Sequence, residues 1–149
     1  MYSSKKYTRE HIGNVRKNIK LIIKELVDRG KNHDKSKLEP PELETFDKYT
    51  PLLKTLEYGS DEYKKSLEEM KPALKHHYFV NRHHPEYFES GIEGMNLVDI
   101  IEMFCDWYAA VTRMKSGNIH SSIDISAKRF GISPQLVNIF KNSVELLEK

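Results

Sequence analysis

Apolar residues recur along the chain at spacings of three and four, and nowhere alternate with polar residues over the length of a strand. The first series is Ile12, Val15, Ile19, Ile22, Ile23 and Leu26, one face of a helix. Thr8 is placed to cap its start and Gly30 to end it. Pro40-Pro41 breaks the chain and opens a second helix carrying Leu43, Phe46 and Tyr49. Ser60 caps a third, with Tyr63, Leu67, Met70 and Leu74 at helical intervals. Pro72 predicts a kink or restart there, and the segment runs to about Asn81, ahead of Pro85. Asn96 caps the most apolar helix, with Leu97, Ile100, Ile101, Phe104, Trp107, Tyr108, Val111 and Met114, and Gly117 ends it. Two short helices, Ser122 to Phe130 and Pro134 to about Leu147, close the chain around Gly131. The pattern predicts an all-α fold, a compact bundle of about six or seven helices.

Composition narrows the class of protein. The chain has 149 residues, which predicts one domain. It is 38% hydrophobic and 31% charged, with a formal net charge of +2. That mix is too apolar for a disordered segment, and no stretch reaches the 18 or so apolar residues of a spanning helix. The opening residues, Met1 to Tyr7, hold no apolar signal core. The expectation is a soluble, cytoplasmic protein. Cys105 is the single cysteine, so neither an internal disulfide nor a cysteine cage is expected. It reads as core packing beside Asp106.

Histidine is the residue type that stands out. There are seven, four of them at His76, His77, His83 and His84. His11 lies on the edge of the first apolar face. His33-Asp34 lies in the turn that follows, where adjacent side chains can point at one ion. His77 and His84 are seven apart and nearly in line on a helix, and His76 and His83 have the same relation. Asn81 stands four residues after His77. Asp106 sits within the most apolar helix, where a carboxylate is costly to bury unless paired or metal-bound. Imidazole and carboxylate side chains from several helices suit Zn, Mn, Fe and similar ions without any thiolate.

The order of these residues resembles the HD superfamily of metal-dependent phosphohydrolases. His33-Asp34-Lys35-Ser36-Lys37 matches His-Asp-x-x-Lys. His83-His84-Pro85-Glu86 is similar to the His-His-Glu motif with a proline inserted. Asp106-Trp107-Tyr108-Ala109-Ala110 is similar to the Asp-x-Tyr-x-Ala of the last ligand helix. The chain also resembles a group of small bacterial and phage proteins with this pattern. The likeness covers roughly residues 8–115, leaving a C-terminal helical pair at about 121–148 within the same domain. The Gly-Tyr-Pro signature of cyclic-di-GMP phosphodiesterases is absent. The gap from His77 to His83 is short, which leaves open whether His76 or His77 is the ligand.

The resemblance implies one or two, at most three, divalent ions (Mn, Fe, Co, Ni or Zn) held by His11, His33, Asp34, His77, His83, His84 and Asp106. It implies hydrolysis of a nucleotide or other small phosphoester by a metal-activated water. Asp34 would orient that water, and Glu86 would act as general acid or base. Lys37, with Arg82 and Arg113 behind it, would contact phosphate. Asn81 and Glu102 would support the ligands, Glu102 by accepting from a ligating His.

Two other classes of function compete. Ala127, Phe130, Gly131, Ile132, Val137 and Phe140 are spaced like a helix-turn-helix, whose second helix would offer Gln135, Asn138 and Lys141 to DNA. The near-zero net charge and the single cation from Ile132 to Glu148 weigh against nucleic acid as a partner. The third class is a metal-binding protein without turnover. The expected partner is a small phosphorylated molecule, with no membrane and with a homodimer left open.

Overall fold

The computed structural model describes residues 4–56, 60–113 and 117–148. Every regular element among them is helical: six α-helices and four short 3-10 turns. No helix among the described residues is long and apolar enough to cross a membrane. The chain divides into two units, Met1–His33 and Asp34–Lys149.

The first unit holds α1, Ser4–Asn32, a single helix of 29 residues. It starts before Thr8 and runs through Gly30, so neither residue marks an end as expected. A glycine in a helix interior costs only about 1 kcal/mol, which so long a helix bears at both Gly13 and Gly30. Arg29 and Lys31 in the last turn suit the negative end of the helix dipole. No residue of α1 is buried, and Ile12, Val15, Ile19, Ile22 and Ile23 are each 41–52% exposed.

The second unit opens at Asp34, whose backbone is left-handed at φ 56°. A 3-10 turn, Lys35–Leu38, leads to α2, Leu43–Leu53, which packs on α3, Asp61–Val80. Ser60 caps α3 by accepting from the Tyr63 N–H at 3.1 Å. The helix passes through Pro72 as one element of 20 residues, so the restart expected there does not occur. Tyr49, Met70 and Ala73 are buried between the two helices, and the Tyr49 hydroxyl donates to Glu69.

Two further 3-10 turns, Pro85–Tyr87 and Gly91–Gly94, connect to α4, Leu97–Thr112. Asn96 caps it reciprocally. Its side chain accepts from the Val98 and Asp99 N–H groups, and Asp99 accepts from the Asn96 N–H at 3.0 Å. The helix ends at Thr112, short of Gly117, and Met114 falls outside the described residues. Helix α5, Ile119–Phe130, starts earlier than expected because Asn118 supplies the cap. Gly131, at φ 64°, turns the chain into α6, Pro134–Ser143, and a last turn follows at Val144–Leu146.

Helices α4, α5 and α6 enclose the main core: Met103, Phe104, Ile119, Ile123, Ile132, Phe140 and Val144. Phe104 stacks on Phe140 at 5.5 Å, and Trp107 meets the same ring edge-on at 5.4 Å. Cys105 is exposed rather than packed in this core. One helical step past buried Phe104 turns it away from the face that Met103 and Phe104 share.

Candidate metal centre

Four side chains of the second unit converge. Asp34, His77, His83 and His84 each offer one ligand atom, and these atoms all lie within 4.8 Å of one another. Asp34 comes from the left-handed turn residue, His77 from the last turn of α3, and His83 and His84 from the segment just beyond it. Asn81 ends α3 in extended backbone, and Pro85 opens the next turn. That break folds His83 and His84 back toward His77, whose ring lies 5.9 Å from one and 4.8 Å from the other.

The distances fit a shared cation. His77 Nε2 is 3.0 Å from His84 Nε2 and 3.3 Å from Asp34 Oδ1, and His83 Nε2 is 3.4 Å from the same oxygen. Ligands at 2.0–2.1 Å around a tetrahedral ion stand about 3.3–3.4 Å apart. The donor set of three imidazoles and one carboxylate is one that Zn and neighbouring ions accept.

Buried carboxylates orient two of the imidazoles. Glu42, at the N-terminus of α2, is fully buried, and its Oε2 accepts from Nδ1 of His77 at 2.9 Å. Glu42 Oε1 accepts from Nδ1 of His76 at 2.7 Å. Ser36 donates to Glu42 Oε2 at 3.0 Å. The Asn81 amide donates to Ser36 at 2.8 Å and to the His77 carbonyl at 2.9 Å. Glu102 on α4 stands 3.3 Å from Nδ1 of His83. A ligating imidazole keeps its proton on Nδ1, where such a carboxylate holds it, and gives the Nε2 lone pair to the ion.

Electrostatics set the charge on Asp34 and His84. Burial opposes charge on Asp34, but hydrogen bonds with His77, His83 and Lys37, and the Lys37 charge, outweigh it. They hold the carboxyl well below the usual range. Burial pushes the pKa of His84 down to about 3, and the charges of His83 and His77 add to this. Asp106 and Asp34 pull weakly the other way. The cluster therefore presents an ionised carboxylate and a neutral imidazole at neutral pH, as ligation requires.

The remaining sequence candidates are distributed as follows. Asp106 on α4 has a carboxylate oxygen within 4.8 Å of a His83 nitrogen. His11 and His33 belong to the first unit. His11 lies early in α1, about 30 Å along its axis from the far end, and His33 directly precedes Asp34. His77, not His76, faces the cluster. Lys37 pairs with Asp34 Oδ2 at 2.6 Å and lies over the Phe46 ring. Arg82 grips buried Asp99 through two hydrogen bonds of 2.9 and 3.1 Å, with its guanidinium against the rings of Tyr87 and Phe88. Arg113 is the exposed cap of α4. Glu86 pairs with Arg129 at 2.8 Å.

Glu42 and Ser36 were not singled out by the sequence. Glu42 looks like an ordinary acidic residue opening a helix, and its partners lie 34 and 35 positions away. In the C-terminal pair, Ile132 and Phe140 are buried, and Ala127, Phe130 and Val137 pack against the core. Gln135 and Asn138 are exposed, and Lys141 pairs with Asp124 at 2.7 Å.

No curated protein and no solved structure matches the chain. One family profile does match, over residues 1–146, and its description is a family of unknown function. The chain belongs to that family, DUF5662.

Proposed function

We propose that the protein is a metal-dependent phosphohydrolase acting on a nucleotide or another small phosphoester. The observation that carries this reading is the meeting of Asp34, His77, His83 and His84, whose ligand atoms all lie within 4.8 Å of one another. The ordered motifs that resemble the HD superfamily support it. Asp34, His77, His83 and His84 would hold the ion, with Asp106 beside His83. Four protein ligands fill a tetrahedral ion, so turnover would call for an ion that accepts a fifth or sixth ligand, such as Mn, Fe, Co or Ni, which would supply Lewis acidity toward a phosphoryl oxygen and a bound water of lowered pKa.

The chain's own residues have separable tasks. Glu42 and Glu102 fix the tautomer and direction of His77 and His83. Asp34 divides its oxygens, Oδ1 toward the imidazoles and Oδ2 toward Lys37. The Lys37 ammonium thereby stands beside the cluster, where a phosphoryl oxygen can share it. Arg82 acts through Asp99 to hold the start of α4, the helix that carries Glu102 and Asp106.

A second reading, metal binding without turnover, draws on the same cations. Lys37 and Arg82 are each bound to a carboxylate. One experiment separates the two readings. Elemental analysis of the purified protein is followed by a phosphoester panel with Mn, Co, Ni, Fe and Zn. Metal with turnover supports the hydrolase, metal without turnover the second reading, and absence of metal overturns both.

A further inference from the structure

The outer side of α3 borders a cavity of about 820 Å³, lined by Lys71, Pro72, Leu74, Lys75, His76, Tyr78, Phe79 and Glu86. Its size lies within the range of small-ligand sites, which pair apolar walls with a few polar groups. Leu74, Tyr78, Phe79 and the Pro72 ring supply the apolar surface. Phe79 is 78% exposed, a large cost for a ring with nothing against it.

The charges around the cavity are not balanced. Glu86 is already neutralised by Arg129, and Lys71 pairs with Glu68 at 2.7 Å. Lys75 is exposed and has no ion pair among the described residues. The surplus is one positive charge at the edge of an aromatic wall. That combination fits an aromatic or alkyl body carrying one anionic group. A neutral molecule would leave the ammonium unused, and a cation would be repelled.

The wall is shared with the metal centre. Tyr78 lines the cavity, and its ring packs on His84 at 4.8 Å. His76 lines it too, and hydrogen-bonds Glu42, the carboxylate that holds His77. We infer that this cavity is a binding site for a small apolar monoanion, seated on Tyr78 and Phe79 with its charge on Lys75. The site stands whether or not the cluster turns over phosphoesters.

The test uses the full chain after chelation, titrated calorimetrically with 1-naphthalenesulfonate, which cannot be hydrolysed. The expected result is one saturable site. Lys75→Gln weakens it about tenfold, the worth of one charge-assisted hydrogen bond. Phe79→Ser weakens it further, while circular dichroism and metal content match the parent. Neutral 1-naphthalenemethanol binds the parent and Lys75→Gln equally, and more weakly than the sulfonate binds the parent. Equal sulfonate binding by all three proteins would overturn the proposal. So would a dimer that dissociates in Phe79→Ser without any sulfonate binding, because a second copy would then be the occupant.

Discussion

Glu42 and His77 meet at 2.9 Å with both side chains essentially out of contact with solvent. A buried carboxylate on Nδ1 fixes which nitrogen of the ring carries its lone pair. Replacing it should therefore act on metal affinity before it acts on the fold. Glu42→Gln keeps the shape and loses the charge. It is expected to weaken metal binding about 10–100-fold, the usual effect of removing such a partner. Competition with a chromophoric chelator measures this, and an unchanged dissociation constant would remove Glu42 from the centre.

Asp34→Asn is the cleaner probe of the carboxylate itself. Asn tolerates the left-handed backbone that Asp34 adopts at φ 56°. The variant should keep its helicity while losing bound metal and any phosphoester turnover together. Full metal occupancy in this protein would count against the cluster as the binding site.

The metal-free protein should lose stability on acidification through His84. Its pKa is about 3 when folded against 6.5 for the ordinary group. Between those values the unfolded chain takes up a proton that the folded one refuses. The contribution is complete above pH 6.5 and falls away as pH drops toward 3. Asp34, with its carboxyl held below the usual 3.8, adds its own loss as pH falls through 3.8, at the acid end of that window and beyond it. Urea melts of the chelated protein between pH 7 and 4 should show the decline, and His84→Asn should flatten it. An equal slope in both proteins would place the proton uptake elsewhere.

Asp99 is a structural acid, fully buried, that caps α4 and binds Arg82 twice. Asp99→Ala is expected to cost about 2–4 kcal/mol, from a lost cap and lost charge-assisted hydrogen bonds. Phe140→Ala, which removes the ring shared by Phe104 and Trp107, should cost about 3–5 kcal/mol. Chemical denaturation reads both. Phe140→Ala should leave metal stoichiometry unchanged where it remains folded.

The parts of this fold that could be read in the chain are those whose cause is local. Ser60 and Asn96 cap the helices they precede because a short polar side chain reaches only two or three residues on. Gly131 ends α5 because it has no Cβ to forbid φ 64°. Local rules also misplaced both ends of α1, since a long run of good helix formers carries the helix past a threonine and a glycine. Within the site, the residue types of Asp34, His77, His83 and His84 were visible. The grip of Glu42 on His76 and His77 was not, because nothing in a Glu-Leu-Glu stretch reports on residues about 35 positions away. The engagement of Arg82 with Asp99, and of Glu86 with Arg129, was hidden for the same reason.

Asp34 precedes His77 by about 40 residues, and α2 and most of α3 lie between them. An ion held by both would bind the folded chain in preference to the unfolded one, in which the two ligands are far apart, so its binding free energy would add to the stability of the fold. The centre would then serve as a removable staple across the α2–α3 hairpin. Its strength would depend on free metal and on acidity, where that of a disulfide depends on redox potential.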